Sequence, residues 1–160
     1  MNNLLEKETV KRVEKIIKNF DKNLKVIVLN TTARTALEAA KSLKCNLGAI
    51  VKSLLFKANG KFILCLIAGD KRCSLNKLKK ILKKKDVSMA NAEEVKKITG
   101  FSIGGVAPVG HLEKLEILVD KSLSRFNFIF GAAGHPDCVF KISYSKLILL
   151  TNGLEKELIE

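Results

Sequence analysis

Residues 50–68 read IVKSLLFKANGKFILCLIA and predict a β-hairpin around which the rest of the chain is organised. Two apolar runs of strand length flank Asn59-Gly60, the dipeptide most typical of a tight two-residue turn. Gly69 and Asp70 end the second run. Because helical patterns occur on both sides of this hairpin in the sequence, the fold class is α/β. A mixed sheet or a barrel is favoured over a parallel sheet.

The remaining elements follow from apolar periodicity and from capping sequences. Helices are expected over residues 8–20 and after the capping residues Thr35, Ser74, Asn91 and Ser143 or Ser145. Further strands are expected at residues 25–29, 115–119, 126–130 and 138–142. Since no linker, repeat or low-complexity segment interrupts the pattern, we predict one domain over residues 1–160.

Charge is the most informative property of the composition. The 29 Lys and Arg residues outnumber the 16 Asp and Glu residues, which gives a formal net charge of +13. Neutralising phosphates releases counterions, so a polyanionic partner such as RNA is the natural inference. Most of the basic residues are lysines, however, and a lysine-rich surface can also serve solubility alone. The run at Lys79, Lys80, Lys83 and Lys84 is open to both interpretations.

Other features exclude several classes of protein. With 47% hydrophobic residues the chain is not intrinsically disordered, and no apolar run approaches the ~20 residues that span a bilayer. Met1–Lys7 lacks a signal-peptide pattern, so we expect a cytoplasmic protein with no membrane partner. Four scattered cysteines show no metal-ligand spacing. We therefore expect reduced thiols, no metal and no cofactor.

Three places in the sequence could carry chemistry. The Gly-rich loop at residues 104–111 can aim backbone N–H groups at an anion, although it can equally be an irregular turn. Lys52 stands in an apolar run, where a lysine either extends to the surface or faces a site that an anion completes. The third place is Gly131–Pro136, where His135 could move protons or simply occupy a turn. No Ser/His/Asp set accompanies them.

The order of these motifs along the chain and their residues resemble the YbaK/EbsC family, which is related to the editing domain of bacterial prolyl-tRNA synthetases. The resemblance covers roughly residues 20–150. The segments that carry it are Ile50–Leu54, Gly69–Arg72, Thr99–Gly110, Asp120 with Leu123, and Gly131–Pro136. Its most specific parts are the lysine segment and the Gly-x-x-x-Pro loop from Gly104 to Pro108.

This resemblance implies a mixed, mainly antiparallel, barrel-like sheet flanked by helices. It also implies hydrolysis of mischarged aminoacyl-tRNA, with Cys-tRNA(Pro) and Ala-tRNA(Pro) as the expected substrates, by a positioned water. Lys52, Gly104, Gly105 and Pro108 would be the catalytic residues. Asp120, Gly134 and His135 would bind substrate.

The expected partner is the acceptor end of aminoacyl-tRNA, and an aminoacyl-tRNA synthetase is a second candidate partner. Two alternatives stay open at this point. One is a non-catalytic tRNA-binding or regulatory module on the same fold, which shares the charge but needs no functional Lys52. The other is an unrelated hydrolase of small esters or amides, which would turn over without tRNA.

Overall fold

The computed structural model describes residues 3–30 and 35–160. In these ranges the α-helices are α1 Glu8–Phe20, α2 Ala36–Leu43, α3 Leu75–Leu82, α4 Ala92–Thr99 and α5 Tyr144–Thr151. The strands are β1 Val26–Val28, β2 Val51–Ala58, β3 Lys61–Ala68, β4 Val87–Met89, β5 Glu116–Asp120, β6 Ile129–His135, β7 Cys138–Ile142 and β8 Leu154–Lys156. Short 3-10 turns include Leu47–Ala49, before β2, and Lys121–Arg125, after β5.

The hairpin formed by β2 and β3 is confirmed. Its antiparallel register pairs Val51 with Ala68 at one end and Ala58 with Lys61 at the other. Asn59 and Gly60 form the turn with φ values of 50° and 81°, the left-handed conformation that Asn-Gly adopts readily. The register also places Lys52 opposite Ile67, close to the turn that follows β3.

The strands form two sheets. A five-stranded sheet has the order β4-β2-β3-β5-β8, and a three-stranded sheet has the order β1-β7-β6. Two of the pairings, β3 with β5 and β5 with β8, are parallel, and the others are antiparallel. The mixed, mainly antiparallel α/β class is therefore confirmed. In the described part of the chain the strands do not close into a barrel, because the one backbone pairing between the two sheets is an Ile50–Phe130 bridge.

The predicted helices begin where their capping residues stand. Thr35, Ser74 and Asn91 each accept a hydrogen bond from the backbone N–H three residues later. Helix α1 buries Val10, Val13 and Ile17 against the main core, as its apolar periodicity predicts. None of the helices in the described ranges is long and apolar enough to cross a membrane.

The prediction for residues 126–130 was only partly right. Residues 126–128 precede the strand, and β6 begins at Ile129 and continues through Gly131–His135. The small residues of this segment look like a loop in sequence, but they allow β6 to lie close to its neighbours. Gly134 shows this, because a Cβ there would lie 2.5 Å from the carbonyl oxygen of Thr9 in α1. Strands β4 and β8 were missed, since each has three residues and little apolar pattern.

Candidate active site

A cleft of about 220 Å³ lies where the two sheets diverge. Strand β4 pairs with β2 only at Phe56–Ala58, so the first half of β2 borders the cleft. The start of α2, the Gly-rich loop and the outer side of β6 and β7 form its other walls. Its lining residues are Thr35, Ala36, Ala39, Ile50, Val51, Lys52, Ser53, Leu54, Ile103, Gly104, Val106, Ala132, Pro136 and Val139.

Lys52 is half-buried at the edge of this cleft. Its Nζ donates a hydrogen bond to the carbonyl oxygen of Lys71, in the turn after β3. Burial lowers the pKa of Lys52. The carboxylate of Asp70 opposes this shift by favouring the cation, whereas Arg72 adds to it. Lys52 is thus a cation that is partly removed from water and held at a fixed place.

The turn that holds Lys52 is itself fixed by an ion pair. Arg125 donates to both oxygens of Asp70, at 2.7 and 3.0 Å, and its guanidinium lies 4.8 Å from the centre of the Phe126 ring. This ion pair holds the pKa of Asp70 below its usual range. Gly48 lies against this group so closely that a Cβ would come within 2.9 Å of the Asp70 carboxylate. The Gly69–Arg72 motif therefore positions Lys52.

The Gly-rich loop lines the cleft through Gly104 and Val106. Gly104 has a φ of +92°, and a Cβ on it would lie 3.5 Å from the Pro136 ring. Gly105 does not line the cleft and instead lines the neighbouring groove. Its N–H donates to the carbonyl oxygen of Ser102, and its Cα packs on the backbone of His135. In this conformation Gly105 supports the loop, and its N–H is not free to bind an oxyanion.

The end of the loop is anchored to helix α1. Arg12 donates through Nε to the carbonyl oxygen of Gly110 at 2.8 Å, and its guanidinium lies 4.7 Å from the centre of the Phe101 ring. His111 makes a 2.7 Å hydrogen bond to the Ala107 carbonyl, and burial lowers the pKa of its imidazole. Pro108 is buried and lies 3.4 Å from the position of a Cβ on Gly131. These contacts give the loop one conformation.

The structure brings only some of the predicted site residues together. Lys52 and Gly104 line the cleft, whereas Gly105 and Pro108 do not. Gly105 lies against His135, and Pro108 lies against Gly131 and borders a different cavity. Gly134 and His135 line a separate groove beyond Pro136.

Asp120 is 1% exposed, and both its carboxylate oxygens are occupied. One accepts from the N–H of Leu158 at 2.6 Å and the other from the N–H of Ser122 at 2.9 Å. In this geometry Asp120 binds backbone N–H groups of its own chain, and the substrate contact expected from the sequence stays a prediction.

Sequence reasoning missed most of the apolar lining. Ile50, Ala132 and Val139 line the cleft, but in sequence they are indistinguishable from core residues. Ser53 follows Lys52 directly and also lines the cleft, and its buried Oγ has no hydrogen-bond partner among the described residues. The apolar setting of Lys52 was the one signal that this edge of β2 borders a cavity.

The chemistry available in the cleft is limited and specific. The described residues that line it include one cation, Lys52, and no His, Cys, Asp or Glu. Within the described ranges, no three His, Cys, Asp or Glu side chains lie close enough to hold a metal ion. The cleft can thus bind a small apolar group beside a partly desolvated cation. Such a site stabilises developing negative charge more than bulk water does.

Comparison with known proteins is consistent with this arrangement. Residues 30–150 match the family model of the aminoacyl-tRNA editing domain. The chain is 34% identical over 106 residues to the proline–tRNA ligase of Caldicellulosiruptor saccharolyticus, a match that covers 66% of this chain and 18% of the ligase. The chain therefore corresponds to less than a fifth of that enzyme. It is also 30% identical over 140 residues to the uncharacterized protein YwhH of Bacillus subtilis, covering 87% of this chain and 88% of YwhH.

A solved structure extends the similarity to almost the whole fold. A crystal structure described as a candidate trans-editing enzyme for prolyl-tRNA synthetase superposes with a TM-score of 0.91 at 34% identity. The match covers 96% of this chain and 98% of that one. The lysine segment of β2 and the Gly-rich loop of this chain both lie within residues 30–150, which the family model matches. The chain therefore belongs to the aminoacyl-tRNA editing domain family.

Proposed function

We propose that this protein is a trans-acting hydrolase that removes a wrongly attached amino acid from tRNA in the cytoplasm. The observation that carries the proposal is the small cleft that contains Lys52 and Gly104 and is otherwise mostly apolar. Membership of the editing-domain family supports the substrate class, and the net charge of +13 supports a polyanionic partner.

The reaction is attack of water on the carbonyl carbon of the aminoacyl ester. The bond from that carbon to the ribose oxygen breaks, and the ribose oxygen takes up a proton. Lys52 keeps one N–H on the Lys71 carbonyl and has two further donors for the substrate. These donors stabilise the developing oxyanion or the adjacent phosphate.

No His, Cys, Asp or Glu lines the described part of the cleft to act as a general base. An ester is already activated, so correct positioning of the water supplies much of the rate. We assign the proton transfer to the free hydroxyl of the terminal ribose, in agreement with the resemblance to YbaK/EbsC. The role of the protein is then to orient the ester and to stabilise charge.

The substrate carries a small amino acid. A cavity of about 220 Å³ is smaller than the roughly 300–1,000 Å³ of most small-molecule sites, so it fits an aminoacyl group but not the whole terminal nucleotide. The apolar lining by Ile50, Ala132 and Val139 favours a short side chain without charge. We propose alanine or cysteine attached to tRNA(Pro), the substrates that the resemblance to YbaK/EbsC implies.

Single-turnover hydrolysis of tRNA(Pro) charged with Ala, Cys, Ser or Pro tests this proposal. We expect rapid hydrolysis of at least one of the three wrong products and little hydrolysis of Pro-tRNA(Pro). Lys52→Ala should lower the rate by about 10- to 1000-fold, the range typical of losing one electrostatic contact in an active site. Lys52→Arg should restore little activity, because a planar guanidinium does not replace a compact ammonium.

Thermal unfolding of the same variants controls for folding, since Lys52 makes little core packing. A folded Lys52→Ala protein with full activity would remove Lys52 from the mechanism. A wild-type protein that binds tRNA but hydrolyses none of the four substrates would favour the non-catalytic RNA-binding module.

A further inference from the structure

A second depression lies beside the cleft, separated from it by the backbone of Gly104 and Gly105. This groove has a volume of about 350 Å³ and includes Lys7, Thr9, Lys96, Ser102, Gly105 and His135 among its lining residues. Pro136 lines both the groove and the cleft. Between them, Gly104 lies against the Pro136 ring and Gly105 lies against the backbone of His135.

The groove is positively charged. Lys7 and Lys96 are exposed, and within residues 3–30 and 35–160 the Lys96 ammonium makes only a long 3.4 Å contact with the Gly100 carbonyl. Glu8 also lines the groove, but its carboxylate bonds to Arg12 at 2.7 and 3.0 Å. The negative charge of Glu8 is therefore neutralised by Arg12, and the positive charges of Lys7 and Lys96 are not neutralised by Glu8.

Two further features favour an anion here. Lys7 occupies the N-cap of α1 and makes no side-chain capping bond, and Glu8 and Thr9 of the first helical turn also line the groove. The positive end of the helix dipole therefore lies beside the groove and favours an anion there. Nδ1 of His135 accepts a hydrogen bond from the N–H of Asp137, so in the neutral ring Nε2 carries the proton and can donate.

We propose that this groove binds a backbone phosphate of the RNA strand whose 3′ end enters the cleft. The inference rests on the proposed function and adds the path of the strand. Because the cleft is too small for the terminal nucleotide, the nucleotides before the ester must lie on the adjoining surface. The groove adjoins the cleft across Gly104 and Pro136, and Lys7, Lys96 and His135 supply the donors for phosphate oxygens.

Binding of an uncharged tRNA(Pro) transcript, measured by fluorescence anisotropy at several salt concentrations, tests this path. The Lys7→Ala/Lys96→Ala double variant should bind at least 10-fold more weakly. Its log-log salt slope should be shallower by about 2, roughly one for each lost phosphate contact. The matched control is Lys61→Ala/Lys84→Ala, which removes the same charge from exposed lysines beside the hairpin turn. This control should bind within about twofold of wild type.

A second measurement separates phosphate binding from damage to the cleft. Hydrolysis of an aminoacyl ester of adenosine, which lacks upstream phosphates, should proceed at the wild-type rate in the Lys7/Lys96 variant. Equal weakening in both double variants, unchanged affinity in Lys7→Ala/Lys96→Ala, or a wild-type protein that does not bind the transcript would overturn the proposal. A wild-type protein that binds with the expected slopes but hydrolyses none of the mischarged tRNA(Pro) substrates would overturn the proposed function and leave the groove in place.

Discussion

Lys52 is a cation whose charge depends on its neighbours. Burial lowers its pKa below the ordinary lysine value of about 10.5, and Asp70 limits the shift. If the ammonium stabilises the oxyanion, the rate of hydrolysis, corrected for the uncatalysed reaction, should fall as pH rises through this lowered pKa. Asp70→Asn removes the charge that favours the cation, so the fall should move to lower pH. Lys52→Arg should abolish it, because a guanidinium stays protonated there.

The stability of the fold should depend on pH in the opposite direction to the rate of hydrolysis. Between the folded and unfolded pKa values of Lys52 the unfolded chain binds more protons, so the free energy of unfolding should rise with pH in that window. Urea unfolding at several alkaline pH values measures this contribution against Lys52→Arg. If the rate of hydrolysis by Lys52→Arg still falls with rising pH as in wild type, the fall is due to another group, such as the Cys73 thiol near Lys52.

The sequence predicted a site residue where that residue differs from its neighbours in the chain. Lys52 stands out because a lysine in an apolar strand needs a physical reason, and Gly104 stands out because it is clustered with other glycines. Ile50 and Val139 give no such signal, since apolar residues of β-strands are usually core. Asp120 shows what a motif alone does not reveal. A carboxylate at this position can bind either substrate or backbone N–H groups, and only its burial in the structure distinguishes the two.

Among the secondary-structure elements, β6 depends on glycine for its approach to α1. Gly134 has a φ of +90°, and a Cβ there would lie 2.5 Å from the Thr9 carbonyl oxygen. Gly134→Ala should therefore destabilise the fold by about 2–4 kcal/mol, through backbone strain together with a steric clash. Gly60→Ala is the matched control, because its φ is +81° but nothing lies within 4 Å of the new Cβ. It should cost about 1 kcal/mol.

Chemical denaturation of the two alanine variants decides the point. Similar losses at both positions would show that the left-handed backbone alone matters and that the contact between α1 and β6 can relax. The predicted difference requires that contact to be rigid.

Asp120 connects the C-terminal segment to the end of β5, next to the edge strand β8 of the five-stranded sheet. Its carboxylate accepts from the N–H groups of Leu158 and Ser122, so Asp120→Ala leaves two backbone donors without their partner. We expect a loss of about 2–5 kcal/mol in the free energy of unfolding. The single-turnover rate of the folded fraction should stay within about threefold of wild type. A large loss of rate with unchanged stability would restore the substrate contact expected from the sequence.

Local signals predicted the elements well, and long-range contacts explain the errors. Thr35, Ser74 and Asn91 begin helices through bonds to residues three positions away, which a sequence displays directly. Strand β8 exists because it pairs in parallel with β5, a partner more than thirty residues away. The division into two sheets likewise depends on which strands meet in space, and no local pattern encodes that choice.

For the whole molecule, the net charge of +13 predicts steep weakening of tRNA binding by salt. The distribution of that charge matters more than its sum. The lysines at the C-terminal end of α3 lie near the hairpin turn, where Leu82 and Lys84 share a cavity with Ala58 and Gly60. Along β2 this end is roughly 20 Å from Lys52, at about 3.3 Å per residue. We therefore expect the phosphate of the terminal nucleotide, with the 3′ end in the cleft, to lie away from this lysine cluster.

Neutralising Lys79, Lys80, Lys83 and Lys84 together tests this asymmetry. This change removes four positive charges, but we expect tRNA affinity to fall by no more than about threefold. The Lys7→Ala/Lys96→Ala variant loses only two charges, and we expect its affinity to fall further. The salt slope should stay close to that of wild type, because counterions are released only where phosphates are neutralised. The single-turnover rate at saturating tRNA should not change. A larger loss of affinity than in the groove variant would show that the acceptor stem lies along α3, and that the lysines there bind RNA in addition to conferring solubility.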